Sequence, residues 1–419
     1  MQHGKTVRVR GIFYCLIFGP SAGSWSSGLG GGVGPVFVMK HFLIAFLALL
    51  SALGQTLGQT AGVDAAPADA WPMYRGTASL TGVSKSKLGS ALKQLWTFKA
   101  QEGIHSTAAI AGGKVYVGCD DGHLYALDFK TGKKLWSFKT EDMVESSPLV
   151  DNGRVYFGSS DGFVYALSAK DGKLLWKFET EDRVLGAPNL FQPSGGEAKP
   201  ALIVGSYDFR LYSLDLGTGK SNWHYETANY INGSPAVSSG RTAFGGCDAV
   251  LHVIQLAEGK KEKQIDAEAY IVGSAAVVDD MAYIGHYENE FLCIDIKAGK
   301  IAWKYKDRAF AYISSPAVTA DRVVVGCRDK RLHCLDRKSG KRLWAFRTRG
   351  SVDSSPVVAD GKVVVGSNDG NLYIVSLADG KKLWSYEIGE PIIAAPALAN
   401  GVLIIGAEDG RVYAFGPAK

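Results

Sequence analysis

Residues that could bind a cation or transfer a proton recur at one position of this sequence. His105, Glu145 and Asp353 each stand directly before a short element of the Ser-Ser-Pro type, and Asn232 holds the same position in another copy. We expect this position to face a central channel, with His105, Glu145 and Asp353 grouped on one side of it, where carboxylates and an imidazole could bind a cation or assist a proton transfer. The alternative is a water-filled channel that tolerates polar residues. The remaining copies of the position are apolar: Leu185, Val272, Ile313 and Ile393.

Large side chains recur in the loops that follow the tryptophan-containing segments. They are Met143, Arg183, Tyr230, Tyr270, Phe310 and Arg349. Exposed aromatic residues and arginines are residue types that anchor protein interfaces. We therefore predict a partner-binding rim, with the alternative that several of these side chains pack against neighbouring loops.

The cysteines and histidines show no metal-ligand spacing, so the sequence predicts no metal site. The repeats contain no Cys-x-x-Cys motif and no adjacent cysteine pair. We expect free, mostly buried thiols that replace serine or alanine, at Cys119, Cys247, Cys293, Cys327 and Cys334.

The segments that must position these residues repeat about every 40 residues. Seven tryptophans give the register: Trp96, Trp136, Trp176, Trp223, Trp303, Trp344 and Trp384. The midpoint between Trp223 and Trp303 falls on Lys263, which indicates an eighth position that has lost its tryptophan. The wider gap before Trp223 is explained by residues 191–201, which lengthen one loop.

Three further strands are predicted between successive tryptophan segments, because alternating apolar residues are bounded by Gly and Asp turns. Four strands per repeat are typical of a β-propeller blade. We therefore predict an all-β, eight-bladed propeller of four-stranded blades. The propeller starts with a tryptophan strand and ends on a third strand, so the N-terminal strand is expected to complete the last blade.

The N-terminal residues indicate export. Met39 is followed by a lysine and by an apolar run from Phe42 to Leu53, which is the layout of a secretory signal peptide. We interpret 1–38 as a mis-called extension, with a second anchor at 11–19 as the alternative, 39–60 as the signal peptide, 61–90 as a lead-in and 91–417 as the propeller. The expected product is a periplasmic or envelope protein, monomeric and without a membrane span after signal removal.

Basic residues are dispersed along the chain and exceed acidic ones only modestly, 46 against 41. A nucleic-acid-binding protein usually concentrates its basic residues in a patch. The charge pattern therefore argues against nucleic acid as a partner.

The pattern formed by Ala126, Asp128, Gly132 and Trp136 resembles the tryptophan-docking repeat of the quinoprotein alcohol dehydrogenase-like superfamily, the PQQ-like propellers. The lead-in at 71–83 is similar as well, and the resemblance covers 71–417. It implies that each tryptophan packs between adjacent blades. Enzymes of this superfamily hold pyrroloquinoline quinone (PQQ) with calcium near the axis and typically carry a disulfide between adjacent cysteines. This chain lacks that pair, so we expect no cofactor and keep PQQ with calcium as the alternative.

Within the superfamily the chain resembles the scaffold subunits of bacterial outer-membrane protein assembly, although no lipid-attachment cysteine follows its apolar run. The resemblance implies a non-catalytic scaffold that binds envelope proteins through the loops between blades. Two alternatives stay open. One is a PQQ-dependent dehydrogenase or quinone-binding sensor, and the other is a protein that binds a cell-wall glycan or small ligand in its channel.

Overall fold

The computed structural model describes residues 63–193, 195 and 199–418, and these residues form strands and turns without any helix. Hence no described part of the chain offers a helix long and apolar enough to cross a membrane. The predicted extension and signal peptide, at 1–60, lie outside the described residues.

The strands form eight sheets of four antiparallel strands, one of which gains β1 as a fifth, parallel strand, and this confirms the predicted all-β, eight-bladed propeller. Two strands precede the first complete hairpin set: β1 (Val83–Ser84) and β2 (Leu92–Lys99). Blades 1 and 2 contain β3 (Ala109–Ala111), β4 (Lys114–Gly118), β5 (His123–Asp128), β6 (Lys134–Lys139), β7 (Leu149–Asp151), β8 (Arg154–Gly158), β9 (Phe163–Ser168) and β10 (Leu174–Glu179). Blades 3 and 4 contain β11 (Asn189–Phe191), β12 (Ala201–Gly205), β13 (Arg210–Asp215), β14 (Ser221–Glu226), β15 (Ala236–Ser238), β16 (Arg241–Gly245), β17 (Val250–Gln255) and β18 (Lys260–Asp266).

The second half of the ring repeats the same order. Blades 5 and 6 contain β19 (Ala276–Val278), β20 (Met281–Gly285), β21 (Phe291–Asp295), β22 (Lys300–Tyr305), β23 (Ala317–Val318), β24 (Arg322–Cys327), β25 (Arg331–Asp336) and β26 (Arg342–Arg347). Blades 7 and 8 contain β27 (Val357–Ala359), β28 (Lys362–Gly366), β29 (Asn371–Ser376), β30 (Lys382–Glu387), β31 (Ala397–Ala399), β32 (Val402–Gly406) and β33 (Arg411–Pro417).

The ring closes as predicted, because β2 pairs antiparallel with β33 and supplies the outer strand of blade 8. Trp96 lies opposite Ala414 in that pairing, just as Trp136 lies opposite Ala126 in blade 1. The lengthened loop at 191–201 joins β11 to β12, also as predicted. The two ends of the propeller chain are therefore held in one sheet.

The turns of each blade lie at two opposite faces of the ring. The turn between its second and third strands and the connection to the next blade lie at one face, which we call the loop face. The remaining two turns of each blade lie at the other face, which we call the base face. The predicted channel and rim residues all belong to connections of the loop face.

Six of the eight seams between blades pair a tryptophan of one blade with a glycine of the next. A Cβ added to Gly132 of blade 1 would lie 2.5 Å from the Trp96 ring of blade 8. Gly132 also has φ of +69°, a conformation that side chains with a Cβ disfavour. Trp96 Nε1 donates to the carbonyl of Phe129 at 3.0 Å, so the indole is held at both of its ends. The predicted packing between blades is confirmed.

Blade 4 keeps the strand register without the tryptophan. Lys263 lies opposite Val253, the pairing that tryptophan makes elsewhere. A Cβ added to Gly299 of the next blade would lie 3.6 Å from Cδ and Nζ of Lys263. The lysine stem therefore takes the place of the indole, and the predicted eighth position is confirmed.

The Ser-Ser-Pro elements form a belt of hydrogen bonds around the axis. The Thr107 N–H donates to Ser147 Oγ of the next blade at 2.9 Å, and the Ser315 N–H donates to Ser355 Oγ at 2.9 Å. Six of the eight seams carry this bond. The hydroxyl acceptor is missing at Ala187 and Ala395. The motif thus stabilises the ring and carries no chemistry of its own.

The lead-in contacts the inner strands of the whole ring and fills the base end of the channel. We call residues 66–84 the base segment. Its backbone carbonyls accept from inner-strand N–H groups, as when Val150 donates to Pro72 and Val318 donates to Thr81. Further backbone bonds join it to blades 1, 4, 5, 7 and 8, and Asn189 of blade 3 donates to the carbonyl of Ala78 through its side chain. The edge of every blade next to the axis is thereby partnered.

Arg75 anchors the base segment to blades 6 and 7 through hydrogen bonds. Its side chain is fully buried and donates to the carbonyls of Pro316, Ser355 and Pro356. Burial is the main reason why the pKa of this guanidinium falls to about 10, which leaves it charged at neutral pH. Trp71 is also fully buried, against blade 1.

Candidate functional site

The mouth of the channel on the loop face is surrounded by two rings of side chains. The first ring is the predicted channel position, and all of its members are partly exposed except Asp353. The second ring comes from the turns between second and third strands: Asp120, Ser160, Tyr207, Cys247, Tyr287, Arg328, Asn368 and Glu408. This second ring was not predicted from the sequence. The signal that could have found it is the position two residues after the glycine that recurs in each second strand.

One backbone hydrogen bond per blade couples these turns to the connecting loops. The Asp120 N–H donates to the Gly103 carbonyl at 3.1 Å, and the Ser160 N–H donates to the Met143 carbonyl at 2.9 Å. The accepting residue, which we call the rim position, is Gly103, Met143, Arg183, Tyr230, Tyr270, Ala311, Ser351 or Pro391. Four predicted rim residues hold this position, whereas Phe310 and Arg349 lie one and two residues before it.

Four charged side chains converge at the mouth where blades 8, 1 and 2 meet, and we call them the acidic pole. His105 Nδ1 lies 3.2 Å from Asp120 Oδ2 and 3.8 Å from Glu145 Oε1. His105 Nε2 pairs with Glu408 Oε1. The structure thus brings together the predicted pair His105 and Glu145 and adds two carboxylates from the second ring.

Electrostatics fix the protonation state of His105. Burial would lower the pKa of its imidazole, but hydrogen bonds and charges from Asp120 and Glu408 outweigh burial and raise it to about 10. Burial also raises the pKa of Glu145, with the charge of His105 acting in the opposite direction. A histidine that stays protonated at neutral pH cannot act there as a general base. The arrangement therefore argues against proton abstraction by His105.

Asp353 does not join this cluster, contrary to the grouping expected from the sequence. Its carboxylate accepts from Arg328 Nη2 at 3.2 Å and from Asn368 Nδ2 at 3.1 Å. Blade 8, with the apolar Ile393, separates Asp353 from His105 in the ring. Asn232 is likewise engaged in structure, because its Nδ2 donates to Cys247 Sγ at 2.9 Å and to the Ile271 carbonyl.

Blades 3 to 6 present aromatic rings on the same face, which we call the aromatic sector. Tyr207 and Tyr230 stack with centroids 4.8 Å apart, and Phe209 meets Tyr230 edge-on at 5.1 Å. The Arg183 guanidinium lies over the Tyr207 ring at 5.0 Å. Tyr230 therefore packs against neighbouring loops, which is the alternative that we considered for the predicted rim residues. The most exposed members are Phe209, Tyr270, Tyr287 and Phe310, with 39–47% of their surface accessible.

One group within the described chain has the composition of a metal site but is explained by the repeat. Cys327, Asp329 and His333 place their ligand atoms within 4.8 Å of one another. His333 Nε2 pairs with Asp329 at 3.1 Å, as the Tyr165 hydroxyl pairs with Asp161 in blade 2. Burial raises the pKa of the Cys327 thiol, which disfavours the thiolate that a metal needs. We assign the group a structural role.

The cysteine prediction is confirmed for four of five residues. Free and buried thiols are found at Cys119, Cys293, Cys327 and Cys334. Cys247 is the correction, because it is buried but its sulfur is disulfide-bonded.

The tryptophan-docked ring with eight equivalent loops defines this chain as a PQQ-like propeller. Residues 91–305 and 310–419 match a family model described as outer membrane protein assembly factor BamB, and the chain therefore belongs to that family. No curated protein matches the sequence.

Solved structures with the same fold include an assembly factor and two dehydrogenases. BamB from Moraxella catarrhalis is 18% identical with a TM-score of 0.66, over 78% of this chain and 100% of that one. A europium-containing methanol dehydrogenase is 14% identical with a TM-score of 0.68, over 83% and 98%. The quinohemoprotein alcohol dehydrogenase from Comamonas testosteroni is 15% identical with a TM-score of 0.67, over 85% and 82%. At these identities the likeness concerns the fold alone.

Proposed function

We propose that this protein is an exported, non-catalytic scaffold that binds protein partners of the cell envelope through its loop face. The observation that carries the proposal is the aromatic sector, where Tyr270, Tyr287 and Phe310 are exposed on one face beside Arg183. Aromatic and arginine side chains with this exposure are typical anchors of protein interfaces. Membership in the assembly-factor family supports the same function.

The residues at the mouth do not fit PQQ. That cofactor is a tricarboxylate, and the acidic pole would oppose it with Asp120, Glu145 and Glu408. The guanidinium of Arg328 is already paired with Asp353. We therefore propose a scaffold without this cofactor.

The partner proposal is tested by capture from an envelope extract of the source organism. The loop-face variant carries Tyr270→Ala and Phe310→Ala, and it is expected to lose partners that the unchanged protein retains. The matched control carries Leu135→Ala and Leu343→Ala. These side chains are each 48% exposed, similar to Tyr270 and Phe310, but they lie on outer strands. Identical partners for all three proteins would contradict the role of the loop face.

The enzyme alternative is tested on the purified protein with added PQQ and calcium. We expect neither a stoichiometric bound chromophore nor dye-linked oxidation of alcohols or sugars. Binding with turnover would overturn the assignment as a scaffold.

A further inference from the structure

We propose that the acidic pole is a receptor for a basic side chain, lysine or arginine, of the protein partner; this inference rests on the proposed scaffold function. Three carboxylates, Asp120, Glu145 and Glu408, surround the single imidazole of His105. The pole thus combines three acidic side chains with a single basic one. Among the described residues, no lysine or arginine forms an ion pair with any of these three carboxylates.

Asp120 shows that a hydrogen-bond donor is missing from the pole. Its side chain is nine-tenths buried, and only one of its oxygens, Oδ2, faces His105. The other oxygen, Oδ1, is buried and has no hydrogen-bond partner. A buried carboxylate oxygen without a donor costs more free energy than one that is paired. An ammonium or guanidinium group supplies both the donor and the opposite charge.

Gly103 lies directly beside the pole on the loop face. Gly103 holds the rim position of blade 1, where the next four blades carry Met143, Arg183, Tyr230 and Tyr270. A Cβ at Gly103 would lie 3.2 Å from Glu408 Oε2 and 3.5 Å from Asp120 Oδ2. The base segment fills the opposite end of the channel, so a ligand reaches the pole from the loop face, beside the aromatic sector.

The chemistry of the pole favours an organic cation over a metal ion. A histidine that ligates a metal must be neutral. His105 instead sits between Asp120 and Glu408 with both ring nitrogens directed at carboxylates, as an imidazolium does. A lysine or arginine needs only accessible carboxylate groups, and the side chains of Glu145 and Glu408 are 29% and 30% exposed. Tyr207 and Arg183 lie on the next blade and offer a surface for the residues that flank the cation.

The experiment uses nitrogen-15 NMR of the histidine rings, with N-acetyl-arginine methylamide as the probe and N-acetyl-norleucine methylamide as its neutral counterpart. The His105 signals are identified with the His105→Gln variant. We expect a saturable shift of the His105 signals with the arginine probe and none with the norleucine probe. Glu145→Gln should weaken binding about tenfold or more, because it removes a charged partner.

Two further variants separate blocked access from loss of folding. Gly103→Val is expected to abolish the shift by occupying the space between Asp120 and Glu408, with thermal unfolding measured alongside. Glu390→Gln is the matched control, since Glu390 is an exposed loop-face carboxylate outside the pole. The proposal is overturned if the norleucine probe shifts the signals equally, if no saturation occurs, or if calcium alone saturates the site.

Capture from the envelope extract distinguishes this proposal from the scaffold function. If the unchanged protein and Glu145→Gln retain the same partners while no arginine probe binds, the receptor fails and the scaffold stands. If the probe binds but the unchanged protein captures no partner, the scaffold function fails instead.

Discussion

The glycine that faces each docking tryptophan is under two separate constraints. Gly132 and Gly299 have nearly the same φ, +69° and +70°. They differ in the space available to a side chain. A Cβ added at Gly132 would lie 2.5 Å from the Trp96 ring, whereas one added at Gly299 would lie 3.6 Å from the flexible stem of Lys263. The chain therefore contains a natural pair that separates backbone conformation from packing.

We predict that Gly132→Ala lowers the free energy of unfolding more than Gly299→Ala does. Both variants incur about 1–2 kcal/mol for a Cβ at positive φ. Gly132→Ala should incur about 1–3 kcal/mol more, because the methyl group displaces an indole in a packed seam. Urea unfolding followed by tryptophan fluorescence measures both changes. Equal losses would show that the indole contact does not contribute to the constraint.

His105 should make stability depend on pH in a defined window. Its pKa is raised from its ordinary value of 6.5 to about 10, so its contribution is fully present below pH 6.5 and is lost as the pH rises through about 10. The difference in unfolding free energy between the unchanged protein and His105→Gln should therefore shrink steadily from pH 6.5 to 10. Guanidinium unfolding at several pH values measures it. The same substitution in an Asp120→Asn, Glu408→Gln background should show little of this dependence, and a dependence that persists there would contradict the assignment.

Two of the four residues of the acidic pole could be predicted from the residue types at one repeated position. His105 and Glu145 were found because they precede a recognisable motif. Asp120 and Glu408 lie in turns where most blades carry residues of other types, such as Ser160 and Tyr207. Asp353 was grouped wrongly because ring position alone does not show that Arg328 is within pairing distance.

The base segment was recognised as a lead-in, but its structural role was not evident from the sequence. It has no strand periodicity, since its carbonyls accept from a different blade every one to three residues along much of its length. The strands of the blades, in contrast, were predicted correctly because each buries alternate side chains against a neighbouring blade. A segment whose partners are spread around a ring leaves no such pattern.

We predict that Arg75→Met destabilises the protein although it preserves volume and removes a buried charge. The carbonyls of Pro316, Ser355 and Pro356 would lose their donors, and a loss of about 1–3 kcal/mol follows if one of them stays unpaired. The control is Arg241→Met, whose guanidinium pairs with Glu262 and Asp280 at the surface and should cost about 0–1 kcal/mol. Thermal unfolding compares the two. Equal losses of stability in the two variants would mean that the hydrogen bonds of Arg75 do not anchor the base segment.

At the scale of the whole molecule, the ring is closed twice by residues from the N-terminal side. The base segment partners the inner edges of the blades, and β2 completes blade 8 by pairing with β33. Pairing with β2 gives blade 8 the same four strands as the other blades and covers the edge of β33, which could otherwise pair with other chains. The base segment and β2 follow each other in the sequence, so successive N-terminal truncations can remove first one and then the other.

A truncation series should separate these two closures. A chain of residues 63–419 is expected to be a monomer that unfolds in one cooperative transition. Residues 85–419 lack the base segment but retain β2, so the ring should stay closed and monomeric with a lower unfolding midpoint. Residues 100–419 also lack β2, which leaves β33 as a free edge, and this chain should self-associate. Light scattering coupled to gel filtration and thermal unfolding measure the three chains. A monomeric 100–419 chain as stable as 63–419 would show that pairing between β2 and β33 does not hold the ring together.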